Sequence, residues 1–322
     1  SPRPLETIIQ KECATPTVSE NPDGYPGTIV TYDENNQISL WDLNKNTKKP
    51  LGIVEILSGA LSNGQALAYL DDDLDQLIVV SATGEKLSVI DASSHWIELL
   101  GWIGDEKVLV GNMPFSGTKG GWRPPSTTLI VDLTTGQYEE LVSDLPKIYN
   151  YSPLPAFGRY TYSGTAYDPT LTRVVYASAW ADYSGIILWD LVKHQEITRL
   201  PAWSPWDTPI WNADGSAFII SLPPQSASED GIHKIVDDGT KYFGGSEFFI
   251  VSREGKIRRL TYLTIESNVE EGAYSWSPDG KQVAFWIKDE NESQWRLAII
   301  NIESGQIIDY CLGGDDGSFS LI

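Results

Sequence analysis

The chain has 322 residues, and its 44 acidic side chains against 23 basic ones leave a formal net charge of −21. That balance disfavours nucleic acid and anionic membranes as partners, and no uninterrupted apolar stretch is long enough to span a bilayer. Only three histidines and two cysteines are present, without the clustered spacing of a His/Cys metal centre.

Residues 1–26 read as a tail. The stretch "PLETIIQKEC" predicts one or two helical turns, and "ATPTVSENPDGYPG" predicts a Pro/Thr-rich tether. Before Cys13, "IIQKE" is charged where a lipoprotein processing site needs small apolar residues. Ser1 in place of Met fits a removed leader or tag.

From Gly27 the chain repeats a four-stranded meander. "PGTIVTYDENNQISLWDLNKNTKKPLGIVEIL" supplies a second, third and fourth strand with no clear first strand before them. An apolar run closing on a small polar residue then recurs as a third strand. It is "ISLWDL" at Ile38, "LSVIDA" at Leu87, "TLIVDL" at Thr128, "IILWDL" at Ile186, "FFIVSR" at Phe248 and "LAIINI" at Leu297. The closing residues are Asp42, Asp91, Asp132, Asp190, Ser252 and Asn301, which sets a repeat of 41 to 62 residues. First and second strands flank Asp-, Pro-, Asn- and Gly-bearing turns, as in "AYLDDDLDQLIVVS" from Ala68, "PIWNADGSAFIIS" from Pro209 and "YSWSPDGKQVAFW" from Tyr274. The repeated acidic or amide residue predicts a structural turn at Asp42, Asp91, Asp132, Asp190 and Asn301, its side chain accepting the N–H groups that follow.

The chain ends in "GSFSLI", which aligns with "GAYSWS" at the start of the last full repeat. If this strand pairs beside 28–33, both termini build one blade and six blades close without long exposed edges. Two alternatives stay open: a seventh blade cut short after Ile322, or a strand donated to a neighbouring molecule.

"YSWSPDGKQVAF" is similar to the Trp-Ser-Pro-Asp-Gly repeat of TolB-like propellers, and "LWDL", present at Leu40 and Leu188, resembles the third strand of WD-repeat propellers. The resemblance implies an all-β fold, a β-propeller of four-stranded antiparallel blades occupying residues 27–322 as one domain. It implies no activity, because propellers host binding scaffolds, hydrolases and lyases alike.

Long insertions fall in second-to-third connections, beginning at Met113, Ala179, Leu222 and Ile287, and in the interblade segments beginning at Ser143 and Pro201. All of these share one face of a propeller, the usual arrangement of a binding surface. Ligand-face candidates there are Trp122, Arg123, Tyr149, Tyr151, Trp180, Tyr183, Trp203, Trp206, Tyr242 and Trp295, aromatics suited to sugar stacking or to protein hot spots. Taken singly, each of these aromatics reads first as packing a long loop against the blade edges; taken as a group, they point to a ligand face.

No Gly-x-Ser-x-Gly elbow is present, and of His95, His194 and His233 only the last is expected on the elaborated face. Asp71, Asp73 and Asp75 have the alternate spacing of a calcium loop, but Gln76 stands where such loops use Gly, so they read first as a hairpin turn. Ring closure would bring Cys13 and Cys311 together for a disulfide in an oxidising compartment. The expectation is therefore an exported propeller in the periplasm, at the cell surface or outside the cell. It binds protein or glycan without catalysis or cofactor, and its terminal segments offer a route to a homo-oligomer. The alternative is a propeller hydrolase or lyase acting on polysaccharide.

Overall fold

Period-two patterning becomes 25 short strands among the described residues, paired into six sheets, with no helix. The computed structural model describes residues 9–11, 28–32, 37–42, 47–53, 60–62, 65–71, 76–92, 96–112, 127–141, 166–178, 185–200, 209–222, 247–261, 267–277, 279–289, 295–314 and 319–321. β1 (Ile9–Lys11) precedes the ring. Blade 1 contains β2 (Thr28–Tyr32), β3 (Gln37–Asp42) and β4 (Thr47–Ile53). Blade 2 follows with β5 (Ala60–Ser62), β6 (Ala66–Leu70), β7 (Gln76–Ser81) and β8 (Lys86–Asp91). Blade 3 is β9 (Trp96–Ile103), β10 (Lys107–Asn112), β11 (Thr127–Asp132) and β12 (Tyr138–Leu141). Blade 4 is β13 (Ala166–Tyr167), β14 (Arg173–Ser178), β15 (Gly185–Asp190) and β16 (Gln195–Leu200). Blade 5 is β17 (Ile210–Trp211), β18 (Ala217–Leu222), β19 (Glu247–Ser252) and β20 (Ile257–Arg259). Blade 6 is β21 (Ser267–Trp276), β22 (Gln282–Asp289), β23 (Trp295–Asn301) and β24 (Ile307–Gly314).

The last strand, β25 (Phe319–Leu321), returns to blade 1 and pairs antiparallel with β2, setting Ile29 against Leu321 and Thr31 against Phe319. Neighbouring innermost strands then touch all the way round, β25 to β5, β9, β13, β17, β21 and back. The six-bladed β-propeller with one-plus-three closure is thus the observed architecture, and the terminal strand completes its own chain's blade.

Two expectations are corrected. The helical turn expected before Cys13 is, at Ile9–Lys11, a strand that joins blade 6 as a fifth member beside β24. The β-branched run "TII" favours an extended backbone, and the outer edge of β24 offers unpaired backbone groups that a helix would leave unused. In blade 2 the repeat is shifted by one strand. Asn63-Gly64, in the connection from β5 to β6, marks the first hairpin, so Leu87 lies on the fourth strand and not the third. Asp91 therefore ends the outermost strand, and Ser81 occupies the place expected for it.

The core lies between blades. Five apolar clusters fill the ring interfaces: Val30, Ile38 and Leu40 meet Leu67, Tyr69, Ile78 and Val80 between blades 1 and 2, and Ala66, Ala68 and Leu70 face blade 3 instead. Alternate residues of one strand thus serve two neighbours, so β6 is buried along its whole length and β23 nearly so. Exposed residues predominate in outermost strands, as in β8 and β12. Phe248 of blade 5 and Phe285 of blade 6 stack edge to face, with centroids 4.8 Å apart and planes at 64°. Near the axis, Trp211 donates its indole N–H to the Ala166 carbonyl at 3.1 Å, and Trp276 donates to Ile210 at 2.7 Å, each tying a blade to its predecessor.

Candidate functional site

Consecutive connections of a meander leave opposite edges of the sheet, so strand order sorts the loops by face. Residues 113–126, 179–184, 223–246 and 290–294 join second to third strands, and 142–165 and 201–209 join neighbouring blades, all on one face. Hairpins of three to five residues occupy the other face. Trp122, Arg123, Tyr149, Tyr151, Trp180, Tyr183, Trp203, Trp206, Tyr242 and His233 fall in the long connections and lie outside the described residues. Trp295 is described. It opens β23 beside the 290–294 connection, half-buried, with the Lys288 ammonium 4.2 Å from its ring centroid.

The opposite face is built from locked turns. Asp132 Oδ1 accepts the N–H groups of Thr134 (3.0 Å) and Thr135 (2.8 Å) and the Thr135 hydroxyl (2.9 Å). Asp190 does the same for Val192 and Lys193 at 2.9 and 2.8 Å, and Arg173 lies 3.1 Å away. Asn301 accepts from Glu303 and Ser304 at 3.0 and 2.9 Å. Ser81 and Ser252 use hydroxyl oxygens, accepting from Thr83 and Glu85 and from Glu254 and Lys256. The Thr135 N–H, with its hydroxyl, holds the Asp132 carboxyl below its ordinary value. At Asp190 burial pushes the value up, but the Lys193 and Val192 N–H groups and Arg173 outweigh it, and the net shift is downward.

Four of these turns place a glycine at positive φ against the outer strand of the preceding blade: Gly84, Gly136, Gly255 and Gly305. A Cβ on Gly305 would stand 2.9 Å from the Leu260 carbonyl oxygen. Blade 4 uses His194 at this place, with φ of 54°.

A buried ionic clasp joins blades 4 and 5. Asp168, fully buried, accepts the N–H groups of Thr170 (3.2 Å), Thr172 (2.8 Å) and Arg173, and the Thr170 hydroxyl. Arg253, on the β19–β20 hairpin, donates from Nη1 to Asp168 (2.9 Å) and the Gly215 carbonyl (3.0 Å). Its Nη2 reaches the hydroxyls of Thr170 (2.8 Å) and Thr172. A second buried pair, Arg296 and Asp309 at 2.9 Å, lies within blade 6. The clasp escapes sequence reasoning because its partners are 85 residues apart and nothing in the repeat pattern pairs them.

The shift in blade 2 also moves the acidic loop. Asp71 accepts the Gln76 N–H at 3.1 Å and closes the β6–β7 connection, which leaves the loop-rich face and not the hairpin face. Its local bonding copies that of the true first hairpins, where the backbone N–H of residues 168, 212 and 277 meets the carbonyl five residues on. Asp73 and Asp75 lie outside the described residues. His95 falls between β8 and β9 in the sequence, also outside them. Asp42 ends β3, half-buried, and the turn after it is outside the described residues. Cys13 is outside them too, and Cys311 lies in β24. Among the described residues, no three His, Cys, Asp or Glu side chains gather to hold a metal, and no helix is long and apolar enough to cross a membrane.

No protein-family model matches the sequence, and no curated protein matches it. Solved propellers do. TolB from Acinetobacter baumannii is 15% identical with a TM-score of 0.53; the alignment covers 92% of this chain and 66% of that one. A putative TolB from Agrobacterium tumefaciens is 13% identical over 89% of this chain and 90% of that one, TM-score 0.46. A structure of a nidogen/laminin complex aligns at 9% identity over 91% of this chain and 98% of that one, TM-score 0.48. At such identities the likeness concerns the fold alone.

Proposed function

We propose that residues 27–322 act as one non-catalytic binding scaffold, exported from the cytoplasm, whose loop-rich face takes a partner protein. The observation that carries this reading is the segregation of connections. Every long segment leaves one face, while the other keeps connections of three to five residues, whose described turns are bonded to themselves, to the adjacent turn of the same blade and, through side chains, to neighbouring blades. A rigid ring with one elaborated face positions recognition loops at low entropic cost.

The chemistry of Trp295 supports a protein over a glycan. Lys288 covers one ring face, so the indole is less open to flat stacking on a sugar and retains an amphipathic edge of the kind found at protein hot spots. The charge of −21 supports a partner with a basic contact surface.

The test uses covalent capture from the secreted fraction of the source cells. The parent chain is compared with a variant in which residues 223–246 are replaced by a short Gly-Ser turn, with Trp295→Ala, and with Val192→Lys on the hairpin face. Loss of one captured protein in the first two, with retention in the third, supports the reading. Retention in the first two and loss in the third contradicts it, and binding to a glycan array alone reassigns the face to sugars.

A further inference from the structure

The strand β1 sits in the only parallel ladder among the described residues. Ile9 lies against Ile307, Gln10 against Ile308 and Lys11 against Asp309. Both strands run the same way, so the register advances by one residue on each strand at every step. The recorded register ends at Lys11 and Asp309; if it continued two residues further on each strand, it would set position 13 against position 311. Those positions hold the two cysteines of the sequence.

The spacing suits a covalent link. Adjacent strands run about 4.8 Å apart, inside the roughly 4.4–6.8 Å Cα separation that a disulfide accepts. Residues at one register position direct their Cβ atoms to the same side of a sheet. The receiving strand is irregular at the same place: Ala298 pairs with Asp309 and Arg296 with Gly313, so residues 310–312 stand opposite Leu297 alone. A bulged backbone, released from the ladder of β23, has freedom to meet the dihedral demands of a disulfide.

We propose that Cys13 and Cys311 form a disulfide that fastens β1 to the outer edge of blade 6. Two thiols become one disulfide and give up two protons and two electrons. An acceptor disulfide, carried by a thiol oxidoreductase or a small-molecule thiol, takes both and leaves as two thiols. The link closes the chain a second time, beside the pairing of β25 with β2, and covers the β24 edge. It stands independently of what the loop-rich face binds.

The test takes the full 322-residue chain, secreted into an oxidising compartment of an expression host. It is denatured with iodoacetamide in the absence of reductant and mapped by peptide mass. The expected map shows no alkylated cysteine and one cross-linked peptide pair containing positions 13 and 311, which separates on reduction. Reduction lowers Tm by about 4–8 °C, and C13S and C311S each melt where the reduced parent does. Moving the thiol one place, in an E12C/C13S chain, leaves both cysteines alkylated. Two alkylated cysteines in the parent, a link between two chains, or a link formed equally well by E12C/C13S overturns the proposal. The peptide map of the parent decides the matter even if a variant fails to fold.

Discussion

Replacing Asp168 by Ala removes the acceptor at the centre of the clasp between blades 4 and 5. The carboxylate is fully buried, and Arg253 is 23% exposed, so water reaches the guanidinium only in part. Breaking a buried pair from one side costs about 3–5 kcal/mol, because the remaining charge and its turn N–H groups lose their partner. The lower end applies, since Arg253 keeps the Gly215 carbonyl and two threonine hydroxyls. At about 2.1 cal/mol/K per residue, 322 residues give an unfolding entropy near 0.7 kcal/mol/K, so 3 kcal/mol lowers Tm by roughly 4 °C. Calorimetry of the parent, Asp168→Ala, Arg253→Ala and the double variant closes a cycle. The expected coupling is about 1.5–3 kcal/mol, that of a hydrogen bond to a charged group. A melting point within 1 °C of the parent for Asp168→Ala, or a coupling below about 0.5 kcal/mol, would refute the clasp.

Three further outcomes follow from the hairpin face. His194→Gly relieves a left-handed backbone at an exposed position and raises stability by about 0.5–1 kcal/mol, seen as a higher urea midpoint at unchanged m. Gly305→Ala forces a Cβ against the Leu260 carbonyl at positive φ and lowers Tm by about 2–4 °C. Acid titration of stability reads the turn carboxylates. The folded values of Asp132 and Asp190 lie below those of the unfolded chain, so the unfolded state binds protons first as pH falls. Their contribution is whole above about pH 4 and is lost as pH drops through the folded values; Asp132→Asn flattens that part of the melting curve below pH 4.

Much of the architecture is legible because it is local. Five of the six third strands announce themselves by an apolar run closing on a small polar residue, and "GSFSLI" shows its kinship to an innermost strand by pattern alone. Local chemistry is also where the reading slips. The turn from Asp71 to Gln76 makes the same hydrogen bonds as a first hairpin, so only the count of strands reveals which face it leaves. That count hinges on Asn63-Gly64 between two three- to five-residue strands. The tail fails for a different reason: Ile9–Lys11 takes its conformation from the free edge of β24, about 300 residues away. Cross-blade contacts such as Arg253 with Asp168 leave no periodic trace, since each residue is polar and lies in a turn. At the candidate face, the sequence locates the loops and their aromatics, and Trp295 shows how one of them is held.

Hydrogen-exchange mass spectrometry with and without the captured partner tests the binding face most directly. Peptides from 113–126, 142–165, 201–209 and 223–246, together with the start of β23 at Trp295, should gain protection, while the hairpins at 133–137, 191–194 and 302–306 stay unchanged. Protection confined to those hairpins would place the partner on the other face and contradict the account.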